Sequence, residues 1–176
     1  MAKGESNEIL RVHSGGRVDM GECVLDNEGS EGSVAVVNGT GSTGQWLNTQ
    51  IRGSDAGAGV LIESGGSLDL RKCTISNNHG HGLSCNGGST FRMKECTLQG
   101  NSGGGLHLRG ESKGQLAKCH FVRNGSIIDK ESGCSCAPCT GNVAIVSSVH
   151  RAVPGFRLVS EDGQNDEAVP IESSMG

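Results

Sequence analysis

A 23-residue period constrains this chain more than any other feature of it. Three consecutive segments read GVLIESGGSLDLRKCTISNN, GLSCNGGSTFRMKECTLQGN and GLHLRGESKGQLAKCHFVRN. Cys73, Cys96 and Cys119 hold the same place in each, and Ile75, Leu98 and Phe121 follow two positions later. A period of this size belongs to a stacked array in which each unit covers its neighbours. Within a unit the apolar residues step by two, as in Val60/Ile62, Leu68/Leu70 and Cys73/Ile75, which is the spacing of one strand face. Between Leu70 and Cys73 the step is three, so parity reverses and the chain must bend at Arg71-Lys72. The segments after Ile62 and after Ile75 supply two further corners. No helical period of 3.6 fits. Each unit is therefore three short strands. Rungs stacked at roughly 4.8 Å make three parallel sheets wound as a solenoid, an all-β parallel β-helix.

The same phase extends outward from the three clear repeats. Leu10 and Val12 form the last strand of an incomplete coil, and Val18, Met20, Cys23 and Leu25 carry the next, closed by Val34 and Val36. In the following coil Gly44 replaces the first apolar residue, Trp46 takes the Leu70 position and Thr49 the cysteine position. The glycine-rich stretch 37–45 is expected to bulge as a long loop. Asn27, Asn78, Asn101 and Asn124 recur near one corner and predict an internal amide stack. The spacing predicts about six coils of 20–26 residues. Residues 1–8 form an N-terminal tail, 9–142 the repeats, 143–159 strands that cover the far end, and 160–176 a disordered acidic tail.

Composition agrees with that shape. Aromatics at 2% and 30 glycines suit thin aliphatic stacks with many tight corners rather than an ordinary globular core. A formal charge of -4 argues against a nucleic-acid partner. No apolar run reaches membrane-spanning length, and the first residues lack the apolar region of a signal peptide. The expectation is a soluble, cytoplasmic chain without membrane contact.

The coils, with the pattern G-h-x-h…G-x-L-x-x-C-x-I-x-x-N (h, apolar), resemble those of right-handed parallel β-helix proteins of the pectin-lyase-like superfamily. The similarity covers about residues 9 to 140. It is greatest to the short-coil repeats of the carbohydrate-binding and sugar-hydrolase branch. Similar coils occur in β-helix F-box ubiquitin-ligase adaptors, Shc-SH2-binding proteins and periplasmic copper-maturation proteins. The matching residues are structural, so the resemblance implies the fold, and function must be sought in side chains that face outward.

Lyases of the superfamily hold calcium on acidic clusters beside an Arg or Lys base, and its hydrolases use aspartates on adjacent coils. Here the outward position between Leu68 and Leu70 reads Asp19, Gln45, Asp69, Arg92 and Gln115. The two aspartates are one coil apart from being neighbours, hence about 10 Å from each other, at or beyond the ~6.5–9.5 Å of an inverting pair. On the strand closing each coil the outward file reads Arg11, Ala35, Leu61, Ser84 and His107, flanked by His13, Val37, Glu63, Asn86 and Arg109. His107 and Arg109 are candidates to grip an anion. Cys134-Ser-Cys136-Ala-Pro-Cys139 has metal-ligand spacing, with His150 or His120 as further ligands. The same spacing copies Leu68, Leu70 and Cys73, which places these thiols inward. Cys139 would then extend a core file of Cys23, Cys73, Cys96 and Cys119, buried as small hydrophobes. The sequence thus favours a non-catalytic binding or scaffold module, alone or as part of a larger adaptor, with a protein or glycan partner and no cofactor. The alternative is a polysaccharide lyase or hydrolase. Uncovered coil ends also predict self-association.

Overall fold

The computed structural model describes residues 7–126 and the strands Ile128–Lys130, Ser135–Pro138, Ala144–Val146 and Arg157–Leu158. The chain enters on β1 (Leu10–Val12) and makes five complete coils. They comprise β2 (Arg17–Gly21), β3 (Val24–Ser30) and β4 (Ala35–Asn38), then β5 (Thr43–Leu47), β6 (Gln50–Ser54) and β7 (Val60–Glu63). Next come β8 (Ser67–Arg71), β9 (Thr74–Ser76) and β10 (His81–Cys85), then β11 (Thr90–Lys94), β12 (Thr97–Gln99) and β13 (Gly104–Leu108). The fifth is β14 (Lys113–Ala117), β15 (His120–Val122) and β16 (Ile128–Lys130). Beyond it lie β17 (Ser135–Pro138), β18 (Ala144–Val146) and β19 (Arg157–Leu158). The strands pair in parallel as three sheets: β1-β4-β7-β10-β13-β16, β2-β5-β8-β11-β14-β17 and β3-β6-β9-β12-β15-β18-β19. Five complete coils with a partial one at each end stand where the period predicts about six. β18 and β19 extend the third sheet as further rungs.

Apolar columns run up the interior because the register repeats at every rung. Trp46, Leu70, Met93 and Leu116 form one column, and Ile51, Ile75, Leu98 and Phe121 another. All of these side chains are buried. Where a side chain is large, the neighbouring rung gives way. A Cβ on Gly114 would lie 2.0 Å from the Phe91 ring, and one on Gly44 would lie 2.8 Å from Trp46 Nε1. The two weak repeats of the sequence are thus the places where aromatic rings fit. Trp46 Nε1 donates to Val18 O at 3.2 Å, so its one polar atom is satisfied.

The corner at Lys72 recurs in all five coils as one left-handed residue: Glu22, Asn48, Lys72, Glu95 and Lys118, with φ of 49–55°. Such a residue costs about 1–2 kcal/mol. Its backbone N–H still reaches the next rung, as in Lys72 N to Lys94 O at 2.9 Å, so no ladder bond is lost. The residue that follows carries a short donor. Cys96 Sγ lies 3.3 Å from Lys94 O and 3.4 Å from Leu70 O, and Thr49 Oγ1 lies 3.1 Å from Leu47 O. Thiol and hydroxyl are exchangeable here because each presents a donor to the corner carbonyl two residues back.

Cys73, Cys96 and Cys119 are buried and Cys23, on the first rung, is half-buried. The neighbouring thiols of Cys119 and Cys73, reinforced by burial, push the Cys96 thiol up, so it stays protonated. At the opposite corner Asn78, Asn101 and Asn124 form a hydrogen-bonded amide ladder, with 2.9 Å between successive side chains. Ser54, not Asn27, continues it: Ser54 N donates to Asn78 Oδ1 at 3.2 Å. Asn27 instead donates to Asn7 O and Gly32 O.

Three expectations need correction. The stretch 37–45 is not a long loop, since β4 ends at Asn38 and β5 begins at Thr43, leaving a corner of ordinary length. In the coil before it, Ala35 and Val37 pair with Val60 and Ile62 and take the inward columns, Val34 is fully buried in the core as expected, and Val36, also buried, pairs with the outward Leu61. The outward file therefore runs Arg11, Val36, Leu61, Ser84, His107, with Asn38 beside Glu63. Partners on the next rung are 26 residues apart at Leu25 and 25 at Ala35, a one-residue change that falls between these pairs, in the stretch containing the irregular seven-residue β3. Finally, β17 pairs Cys136 with Gly114 and Pro138 with Leu116. Cys136 therefore stands two residues from the expected register, in the column of Leu68 and not that of Leu70. Cys134, Cys139 and His150 lie outside the described residues, as do residues 160–176.

Candidate functional site

The outer face of the second sheet carries a polar surface with a groove in it. Alternation along β5, β8, β11 and β14 sends every second side chain outward, and parallel in-register pairing lines these up as rows. One row is Arg17, Thr43, Ser67, Thr90 and Lys113; the next is Asp19, Gln45, Asp69, Arg92 and Gln115. Between them lies a shallow groove of about 580 Å³. Thr90 Oγ1 donates to Ser67 Oγ at 3.0 Å, and Arg92 Nε donates to Gln115 Oε1 at 3.0 Å. Leu47, 49% exposed, adds an apolar spot to a second hollow beside Trp46 and Arg71.

The electrostatics of this face are asymmetric. Asp19 pairs with Arg17 on its own strand at 2.8 Å, and Asp69 with Arg71 at 2.9 Å. The hydrogen bond from Arg17 holds the Asp19 carboxyl below the usual carboxylate range, and Asp19 in turn raises Arg17. Both carboxylates are therefore already occupied by guanidinium groups. Arg92 and Lys113, which line the groove farther along the stack, meet no carboxylate in any ion pair among the described residues. The groove is consequently neutral at its first rungs and cationic at its later ones.

Asp19 and Asp69 sit on the Gln45 rung's two flanks, in register but not adjacent. No cluster of three or more His, Cys, Asp or Glu able to hold a metal occurs among the described residues. Catalysis by a carboxylate pair needs one free acid and one free base at a fixed separation. Here the two acids are two rungs apart and each is tied to an arginine.

His107 and Arg109 lie on and just beyond β13, in the first sheet, so they share no face with the two aspartates. His107 has a partner that the period does not foretell. The His81 ring stacks on it with centroids 4.4 Å apart and an interplanar angle of 19°. Strict alternation back from Leu83 puts His81 inward. Instead Gly82 and Leu83 are both buried, parity reverses, and His81 faces out. The signal was the Gly preceding the apolar pair in each repeat, Gly59, Gly82 and Gly105. On the third sheet Arg52 pairs with Asp26 at 2.8 Å across adjacent rungs.

Three parallel sheets wound three strands to the coil, with an outward polar groove on one of them, define a parallel β-solenoid. A family model described as a right-handed β-helix region matches residues 33–165. The chain belongs to this family. No curated protein and no solved structure matches it.

Proposed function

We propose that the chain is a non-catalytic binding module, and that the outer face of the second sheet takes an extended acidic segment of a protein partner. The observation that carries this is the charge arrangement of the groove. Asp19 and Asp69 are neutralised in place by Arg17 and Arg71, while Arg92 and Lys113 line the groove without a carboxylate partner. An extended chain suits the surface, because rungs repeat at about 4.8 Å and offer a hydroxyl or amide at each step. Guanidinium groups favour carboxylates through paired, charge-assisted hydrogen bonds. Aromatic side chains, on which sugar rings commonly stack, are turned inward at Trp46, Phe91 and Phe121. That favours a polypeptide over a glycan.

The test is binding of a fluorescent oligo-glutamate peptide, followed by anisotropy as salt is varied, with oligogalacturonate as competitor. The expected result is salt-sensitive binding that is lost in Arg92→Glu/Lys113→Glu and kept in Asp19→Asn. Tighter binding of the oligogalacturonate would move the assignment to an anionic glycan. Release of unsaturated or reducing ends from a polysaccharide, abolished by Asp69→Asn, would establish the enzymatic alternative and overturn the proposal.

A further inference from the structure

Asparagine is followed by glycine at three places in the chain, Asn38-Gly39, Asn86-Gly87 and Asn124-Gly125. Such a pair is prone to lose its side-chain amide, because no Cβ on the glycine hinders its nitrogen from reaching the asparagine Cγ. The reaction needs a side-chain amide that can turn toward the main chain and a following N–H that no hydrogen bond holds. Two of the pairs are tied at both groups. Asn38 Nδ2 donates to Glu63 Oε1 at 2.6 Å, and Gly39 N donates to Glu63 O at 3.0 Å. Asn124 Nδ2 donates to Leu98 O at 2.8 Å, its Oδ1 accepts from Asn101 Nδ2 at 2.9 Å, and Gly125 N donates to Asn101 O at 2.9 Å.

Asn86 differs at both groups. It opens the corner from β10 to β11, which Ser89 N closes by donating to Asn86 O at 3.3 Å. Inside that closure Gly87 and Gly88 have φ of 62° and 71°, the succession of left-handed residues that marks a type I′ turn. The turn is pinned on both sides, by Asn86 N to Ile62 O at 2.8 Å and by Gly88 N to Gly110 O at 2.7 Å. Gly87 N and the Asn86 side-chain amide have no hydrogen-bond partner among the described residues. Gly87 is exposed and Asn86 half-buried, so water reaches the pair.

We propose that Asn86 is a site of spontaneous covalent modification, converting in water to aspartate and isoaspartate while Asn38 and Asn124 keep their amides. The Gly87 nitrogen gives its proton to hydroxide or a buffer base and forms a bond to Asn86 Cγ. The Cγ–Nδ2 bond breaks and ammonia leaves, closing a cyclic imide. Water then cleaves one of the two imide C–N bonds. Cleavage at Cγ yields aspartate, and cleavage at the main-chain carbonyl carbon yields isoaspartate. No oxidant or reductant takes part; the balance is one water in and one ammonia out. Either product adds a negative charge at this corner. Isoaspartate also routes the main chain through Cβ and Cγ, which lengthens the turn by one atom and alters the Ser89 closure.

The test is incubation of the folded full chain at mildly alkaline pH, followed over time by tryptic peptide mapping with mass spectrometry. Trypsin separates the three sites, since Arg17 and Arg52 bound the Asn38 peptide, Lys72 and Arg92 the Asn86 peptide, and Arg123 precedes Asn124. The expected result is the mass gain of amide hydrolysis in the Asn86 peptide alone, as an aspartate and isoaspartate pair resolved by chromatography, at a rate that rises with pH. In urea, where the fold no longer holds Asn38 and Asn124, all three sites should convert at comparable rates. Asn86→Gln should abolish the gain with unchanged far-ultraviolet circular dichroism. Conversion of Asn38 or Asn124 as fast as Asn86 in the folded chain would overturn the proposal. So would an Asn86 that keeps its amide in the folded chain while urea lets all three react, or a mass gain that persists in the same peptide of Asn86→Gln.

Discussion

Replacing Asn101 with alanine tests the interior of the solenoid at its most connected polar point. The Asn101 side chain is fully buried and makes four hydrogen bonds. Its Nδ2 donates to Ile75 O at 3.1 Å and to Asn124 Oδ1 at 2.9 Å. Its Oδ1 accepts from Asn78 Nδ2 at 2.9 Å and from Asn78 N at 3.2 Å. In Asn101→Ala the two Asn78 donors and the Ile75 carbonyl lose these partners, whereas Asn124 Oδ1 keeps the Asn101 backbone N–H at 3.1 Å. A buried polar group left unpaired costs about 1–3 kcal/mol. The Ile75 carbonyl keeps its place in the β9–β12 ladder, so two groups are left unpaired and, with water entering part of the space, give about 2–4 kcal/mol, a large share of the ~5–15 kcal/mol that holds an ordinary domain folded. Urea denaturation should show a lower midpoint at an unchanged slope. Asn27→Ala is the internal comparison. Asn27 serves Asn7 O and Gly32 O near the end of the stack, so its loss should cost about 1 kcal/mol. Asn101→Asp keeps the acceptors but turns carboxylate oxygens toward Ile75 O and Asn124 Oδ1. It should destabilise at least as much at neutral pH and recover as acid protonates it. An Asn101→Ala chain as stable as Asn27→Ala would refute the ladder as a source of stability.

Two further predictions rest on separate contacts. Gly114→Ala puts a methyl into the Phe91 ring and should cost about 1–3 kcal/mol by overpacking, with Phe91→Leu restoring much of it in a double-mutant cycle. For the exposed Arg17–Asp19 pair, the folded-state carboxyl titrates below its unfolded value, so its contribution is present above the unfolded pKa and fades as pH falls through the folded one. A carbon-13 titration should therefore place Asp19 low in the native chain and return it toward the ordinary range in Arg17→Ala.

The fold was legible because a solenoid writes its geometry into the sequence once per turn. Leu70, Met93 and Leu116 stack because a fixed count of residues returns the chain to the same azimuth, and the three-residue step to Cys73 marks the corner where φ turns positive at Lys72. The period failed where the count was disturbed. Between Leu25 and Ala35 the offset to the next rung changes by one residue, so Ala35 and Val37, and not Val36, stand opposite Val60 and Ile62. The phase of a neighbour cannot report such a shift, because alternation survives a one-residue slip with every face exchanged. The β17 register differs in another way: it stands two residues off, which keeps the faces and changes only the partners, so Pro138 and not Cys136 lies opposite Leu116.

Function was far less legible, for a reason built into the same repetition. A residue that recurs at every coil is there to stack, so the period isolates structural positions and leaves outward ones as unpatterned remainder. Asp19 and Asp69 drew notice as a carboxylate pair, yet what decides their chemistry is Arg17 and Arg71, each two residues away on its own strand and thus on the same outward face. Two-residue spacing of opposite charges is a sequence signal, and it argues for neutralised acids before any distance is known. His81 required something else. Its outward turn depends on Gly82 packing against Asn101 and Leu98 inside the corner, a contact between coils that no single repeat encodes. Side chains on the outer face acquire their roles from neighbours one rung away, where sequence distance is a whole coil. What such a face binds is therefore set by the rows across rungs. Here those rows carry Arg92 and Lys113 on the later rungs of the groove, and under the proposed reading an acidic chain would find its counter-charges there.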